Sequence, residues 1–245
     1  MRVLVLGGTA EARALAERLH PDIDIISSLA GRVPDPALPV GSVRIGGFGG
    51  IEGLRDWLLE NDVTAVVDAT HPFAATITAS AAAACAELGV PYVALSRPPW
   101  DPAGSTVVAS DTEAAEIIAA KGYSRAFLTT GRSGVAAFSG SDAWFLIRVV
   151  TAPDPQVLPL NHELVFSRGP YHYDDECELL RSRGIEVLVT KNSGGALTEA
   201  KLDAARALGV DVVMIRRPDL PEGVTVVSSV QDAVAWVLSR GNAGA

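Results

Sequence analysis

Short apolar runs alternate with stretches in which apolar residues return every three or four positions, and the alternation continues along the whole chain. Residues 3–6, 23–26, 43–45, 63–67 and 91–95 are apolar at nearly successive positions, as in strands buried on both faces of a parallel sheet. Helical faces lie between them: Ala12, Leu15, Ala16 and Leu19 after the first run, and Ile51, Leu54 and Leu58 after the third. An alanine-rich helix is expected from Pro72 through Leu88, with proline at the first helical position, where a missing N–H costs nothing. Five strand–helix units within about a hundred residues predict an α/β fold built on a doubly wound parallel sheet.

Pro98, Pro99, Pro102 and Gly104 then break the pattern and mark a linker. Beyond it, Ser110 and Glu113 form a capping box for a helix through Lys121. Strands follow at 125–128, 144–147, 164–166, 186–189 and 212–215, and a last helix after Ser229 buries Val230, Val234, Val237 and Leu238. The expectation is two doubly wound parallel-sheet domains with a cleft between them, residues 1–98 and 99–245. Residues 151–162 (TAPDPQVLPLNH) carry three prolines and no periodicity. That is longer than the roughly two to six residues an α/β connection needs, and it reads as a mobile lid, with a rigid surface strap as the alternative.

The chemistry gathers where strands end, which in an open α/β sheet is where ligands bind. The run at 63–67 stops at Asp68, Thr70, His71 and Pro72. Gly7-Gly8-Thr9 turns the first strand into a helix, a geometry that offers backbone N–H groups to a phosphate, although Thr9 replaces the second glycine of a GxGxxG fingerprint. After the second strand come Ser27, Ser28, Leu29, Ala30, Gly31 and Arg32, with no acidic residue to hold a ribose hydroxyl. Arg32 there suits a ribose 2′-phosphate, or is a solvated loop arginine. The third strand closes on Gly46-Gly47-Phe48-Gly49-Gly50, which implies close approach of the backbone or positive φ. Arg32, Arg97, Arg132, Arg148, Arg168, Lys191 and Arg217 each follow a buried run. Such an edge is built to hold a polyanion.

Composition sharpens this. The chain has 245 residues, 48% hydrophobic and 20% charged, with a mean hydropathy of +0.25, so it is folded throughout. A net charge of −9 and a pI near 4.9 argue against nucleic acid and anionic membranes as partners, which makes the cations at the strand ends more pointed. Cys85 and Cys177 read as buried thiols of a reducing compartment. Gly7-Gly8 and Glu11 cut the first apolar run too short for a secretory leader, and the uncharged stretch 72–86 falls short of the ~20 residues that span a bilayer. A cytoplasmic protein is expected. Four histidines (His20, His71, His162, His172) form no HExxH or Cys/His cluster, so no metal is expected, and there is no GxSxG or Walker lysine motif.

Taken in order, GGTAEAR (7–13), SSLAGR (27–32), GGFGG (46–50), DATHPFA (68–74), TTGR (129–132), RGP (168–170) and KNSGG (191–195) resemble the precorrin-6A reductase family of cobalamin biosynthesis, nearly from end to end. The resemblance implies two Rossmann-like domains, a coenzyme-binding 1–98 and a tetrapyrrole-binding 99–245. It further implies NADPH-dependent reduction of one double bond of precorrin-6A to give precorrin-6B. Read with the residues above, it places the coenzyme at Gly7, Gly8, Thr9, Ala10, Glu11, Ser28, Arg32, Gly47, Phe48, Gly49, Thr70, His71, Pro72 and Phe73. The carboxylate arms of the macrocycle are expected on Arg97, Arg132, Arg148, Arg168, Lys191, Asn192, Ser193 and Arg217. His71 is the candidate general acid, or it caps the helix beginning at Pro72 or orients the nicotinamide amide. The next enzyme of the corrin pathway is a candidate partner. Two rival readings are a two-domain nucleotide-sugar glycosyltransferase and a non-enzymatic NADP(H)-binding sensor. The first would favour carboxylates at the edges, and the second would not need cations in its second half.

Overall fold

The structure is a computed structural model, described here for residues 1–31 and 38–241. The elements run β1 (Arg2–Leu6), α1 (Ala10–Leu19), β2 (Asp24–Leu29), β3 (Ser42–Ile45), α2 (Gly50–Glu60), β4 (Ala65–Asp68), α3 (Ala75–Leu88) and β5 (Tyr92–Leu95). Then come β6 (Thr106–Val108), α4 (Asp111–Lys121), β7 (Arg125–Thr129), β8 (Trp144–Val149), β9 (His162–Phe166), α5 (Tyr173–Ser182) and β10 (Val187–Lys191). The chain finishes with α6 (Ala200–Leu208), β11 (Asp211–Ile215), β12 (Thr225–Val227) and α7 (Val230–Gly241).

These elements form two compact units, Met1–Pro98 with Pro218–Ala245, and Pro99–Arg217. The break after Pro98 falls at the proline-rich linker, but the second unit does not continue to residue 245. Strand β12 pairs in parallel with β5 (Thr225↔Val93, Val227↔Leu95), and α7 packs Ala233, Val234 and Val237 into the core of the first sheet. The physical reason is an edge: without β12 and α7, β5 would end the sheet with unpaired backbone and an uncovered apolar face.

Each unit is one six-stranded parallel sheet, ordered β12-β5-β4-β1-β2-β3 in the first and β6-β11-β10-β7-β8-β9 in the second. The second order repeats the first, with β6 standing where β12 stands. Neither short edge strand announces itself in the sequence, since three residues of TVV pattern carry little periodicity. Both sheets are wound from the middle outward, so their switch points lie between β1 and β4 and between β7 and β10.

Alternation along the first sheet sorts its two cores. Val3 and Val5 face α1 and α7 through Leu15, Leu19, Ala233 and Val237, while Leu4, Leu6 and Val66 face α2 and α3 through Leu54, Leu58, Ala81 and Cys85. In the second unit Phe127, Leu146, Leu188 and Met214 pack with Cys177 and Leu180 of α5, Leu202, Ala204 and Ala205 of α6, and Trp100. Alanines at 81, 84, 204 and 205 let helices lie close on the strands. The segment 151–161 holds one 3₁₀ turn at Pro155–Val157, with the Asp154 carboxylate accepting the Gln156 amide at 2.9 Å.

Candidate functional site

At the switch point of the first sheet, Leu6 is followed by Gly7 and by Gly8 at φ +108°, a left-handed turn that favours glycine. Thr9 caps α1: its hydroxyl accepts the Ala12 amide at 3.1 Å and donates to the Ala69 carbonyl at 2.7 Å. The single hydroxyl proton is therefore spent, which corrects the expectation that the Thr9 side chain holds a pyrophosphate. What remains for an anion is the row of amides from Gly8 to Glu11 at the positive end of α1. The Glu11 carboxylate lies in that first turn, and Arg97, which follows β5, donates to it at 2.9 Å. Arg97 thus belongs to the first unit, beside the glycine turn, and not to a substrate edge carried by the second.

Strand β4 ends on Asp68, which is 4% exposed. Its carboxylate accepts the Thr70 amide at 3.0 Å, the Thr70 hydroxyl at 2.6 Å and the Tyr92 hydroxyl at 2.9 Å, so this acid is a structural knot. Burial, then the Asp68 charge, push the Tyr92 phenol far above its ordinary range. Helix α3 starts at Ala75 with Ala74 as its cap, so Pro72 is not a first helical residue and His71 does not cap the helix. Instead the exposed His71 ring closes a local turn, its Nδ1 accepting the Phe73 amide at 3.3 Å. That bond leaves the proton of the neutral ring on Nε2.

Arg32 lies outside the described residues. Beside its expected place, Ser28 is buried and its hydroxyl accepts from Arg44 of β3 at 2.9 Å, a residue that sequence reasoning passed over because it lies inside a strand. The glycines after β3 do two jobs. Gly46, Gly49 and Gly50 sit at φ +124°, +83° and +94°. Gly53, in the first turn of α2, lies so near the loop that a Cβ would stand 1.8 Å from the Phe48 carbonyl oxygen. Phe48 packs edge-on against Trp57 at 5.4 Å.

In the second unit, the ends of β7, β10 and β11 bring together much of the expected cationic set. Lys191 donates to the Thr130 carbonyl at 2.8 Å and lies 3.9 Å from Asp111, the first residue of α4. Arg217 donates to the Asn192 and Ser193 carbonyls at 2.7 and 2.9 Å. Arg132 reaches the Thr151 hydroxyl at 3.3 Å, and Arg168 is exposed after β9. Gly134 is obligatory here, because a Cβ would meet the Asp111 carboxylate at 2.3 Å and the Thr130 hydroxyl at 2.6 Å.

Two expected ligands have other duties. Arg148 lies within β8, which runs on to Val149, so its side chain enters the core instead of leaving the strand end. It is 8% exposed, pairs bidentately with Glu176 of α5 at 2.7 and 3.0 Å, and stacks on Tyr171 at 4.0 Å. Asn192 accepts the Trp100 amide at 2.8 Å and donates to the Trp100 carbonyl at 3.0 Å, splinting the linker to the sheet. Under the Trp100 ring, at 4.8 Å, sits the Lys201 ammonium. Burial, then repulsion from Arg148, push it down to about 7, with Glu176 opposing. Neither Glu176 nor Lys201 stands out in the sequence, since each is an ordinary polar residue at a helix start.

Among the described residues no group of His, Cys, Asp and Glu could hold a metal ion, and no helix is long and apolar enough to cross a membrane. Cys85 and Cys177 are free and buried, and burial pushes the Cys85 thiol up to about 12.

Fold and edges together define a two-domain Rossmann-like α/β protein, with an amide-lined switch point in one sheet and a cation-rich one in the other. The signature of the family described as Precorrin-6x reductase CbiJ/CobK matches residues 2–238. A precorrin-6A reductase of Mycobacterium tuberculosis is 68% identical over 236 residues, 96% of this chain and 97% of its own. One of Rhodococcus erythropolis is 53% identical over 242 residues, again 96% and 97%. A solved structure titled CobK precorrin-6A reductase superposes with a TM-score of 0.89 at 40% identity, covering 98% of this chain and 97% of that one. The chain belongs to the precorrin-6x reductase family and is a reductase of cobalamin biosynthesis.

Proposed function

We propose that this chain uses NADPH to reduce one double bond of the precorrin-6A macrocycle, giving precorrin-6B. The observation that carries the reading is the pairing of one edge suited to phosphate with another suited to carboxylates. In the first unit the Gly8–Glu11 amides face outward from a helix start, and the end of β2 offers Ser28 where a carboxylate would favour NADH. A nicotinamide dinucleotide fits these residues, and when bound it supplies the reducing equivalent. The chain's part is to hold and orient. The amides from Gly8 to Glu11 take the pyrophosphate, and the glycine loop around Phe48 lines the adenosine side. Thr70, Pro72 and Phe73 line the path toward the nicotinamide, and His71 gives the accompanying proton.

In the second unit Arg132, Arg168, Lys191, Ser193 and Arg217 take the acetate and propionate arms. Arg148 and Asn192 are left out, because Arg148 is buried in its pair with Glu176 and the Asn192 amide is bound to Trp100. Charge-assisted bonds to carboxylate from cations held at strand ends lose little ordering entropy on binding. The substrate brings its own electrophilic conjugated system, so no nucleophile is needed. A cytoplasmic setting, where NADPH is plentiful, goes with this reading. The test is nicotinamide absorbance with purified protein. Oxidation of NADPH that requires precorrin-6A, with NADH much the poorer donor, is expected. Binding of NADPH without turnover in the presence of precorrin-6A would overturn it in favour of a sensor.

A further inference from the structure

Arg44 is a part-buried guanidinium with no counter-charge among the described residues. Its Nη1 donates to the Ser28 hydroxyl and the Gly46 carbonyl, each at 2.9 Å, and its Nη2 donates to the Gly47 carbonyl at 3.0 Å. The guanidinium carbon lies 3.7 Å from the centroid of the Phe48 ring and 5.4 Å from that of Trp57. Every one of these partners is neutral. No carboxylate lies within ion-pair distance of Arg44 among the described residues, in a protein with 29 acidic side chains against 20 basic ones. Arg2, Arg97 and Arg148 are each matched by an acid. Burial accordingly holds the Arg44 guanidinium below its ordinary pKa, with no acidic neighbour raising it.

A partly desolvated cation costs free energy unless something compensates it. Three hydrogen bonds and a stacked aromatic ring set this one in place before any ligand arrives, and of its five N–H groups the Nε–H and one Nη2 N–H have no acceptor among the described residues. The location narrows the missing anion. In a doubly wound sheet, the group at the end of the second strand faces the adenosine ribose of a bound dinucleotide. Ser28 is the next-to-last residue of β2, and Arg44 reaches it from the neighbouring strand.

We infer that Arg44, with Ser28, seats the ribose 2′-phosphate of the coenzyme and thereby sets the preference for NADPH over NADH. The inference rests on the nicotinamide-coenzyme reading above. It names a different residue from Arg32 as the determinant, and it makes Phe48 a backing plate that keeps the guanidinium plane fixed.

The test is direct titration of the intact protein with NADPH and NADH, followed by nicotinamide fluorescence, in wild type, Arg44→Gln and Arg44→Lys. Wild type should bind NADPH more tightly, and adenosine 2′,5′-bisphosphate should displace it better than AMP does. Arg44→Gln should weaken NADPH roughly tenfold to a hundredfold and NADH less than about twofold, with the loss shrinking as salt rises. Arg44→Lys, which keeps the charge, should fall between. Equal weakening of both coenzymes together with a lower Tm would make Arg44 a loop brace only, and overturns the inference. So does an Arg44→Gln protein that keeps the full NADPH preference. If Arg44→Gln does not fold, an Arg44→Lys protein with an unchanged NADPH/NADH ratio overturns it. Wild type that binds neither dinucleotide is a separate outcome, which removes the coenzyme reading and the inference with it.

Discussion

Replacing Lys201 with methionine exchanges a buried ammonium for a neutral side chain of similar length, and the consequence depends on pH. Lys201 is 5% exposed at the start of α6, against the Trp100 ring and near the Arg148–Glu176 pair. Its ammonium is pushed from 10.5 to about 7 in the folded chain, first by burial and then by Arg148, with Glu176 acting the other way. Between about 7 and 10.5 the unfolded chain therefore carries a proton that the folded chain lacks, and stability rises with pH across that window. Below it both states are charged and the folded state bears the whole penalty. Above it both are neutral and the penalty is gone. At 1.36 kcal/mol per pH unit the full span is worth about 5 kcal/mol. Lys201→Met should therefore be stabilised relative to wild type at pH 7, and the advantage should shrink by about 1.4 kcal/mol for each pH unit up to 10. Paired denaturant unfolding curves at several pH values give the difference, in which groups common to both proteins cancel. Hydrogen exchange at the β8 and β10 amides reads the second unit by itself. A difference that does not vary with pH, or one that grows as pH rises, would refute the reasoning.

Glu176→Gln should destabilise the second unit by about 3–5 kcal/mol, since it leaves the buried Arg148 guanidinium without its anion; below pH 7, where Lys201 is charged as well, adding Lys201→Met should recover part of the loss in a double-mutant cycle. Asn192→Ala strands the buried Trp100 amide and carbonyl and should cost about 2–4 kcal/mol in urea unfolding, while leaving NADPH affinity unchanged. Arg132→Ala and Lys191→Ala should each weaken the tetrapyrrole by about 1.5–3 kcal/mol at low salt and less at high salt, with NADPH affinity as the control. Limited proteolysis within 151–162 should be fast in the free protein and slow with product bound; cleavage indifferent to product would end the lid reading.

What the sequence determined alone is the local layer. Apolar runs at 3–6, 63–67 and 125–128 become strands because each is buried on both sides of its sheet, and that requirement is written into consecutive residues. The start of α4 was legible for the same local reason, since Ser110 accepts the Glu113 amide at 3.1 Å within four residues of chain, whereas α3 starts at Ala75 and not at Pro72. The glycines around Phe48 and after Leu6 announced special backbone, and the family motifs spread over both halves announced the ordered set of edges. The tertiary structure decided everything that depends on a distant partner. Strand β12 joins the first sheet because β5 needs a neighbour, and that neighbour is more than a hundred residues away. Strand-end cations could be counted along the chain, yet whether each was left for a ligand could not. Arg148 meets Glu176 across 28 positions, Arg97 meets Glu11 across 86 and Asn192 meets Trp100 across 92. Arg44, hidden inside a strand, became conspicuous only when folding surrounded it with neutral partners. A charge is a property of one residue, whereas its compensation is a property of the packed neighbourhood, and only folding assembles that neighbourhood.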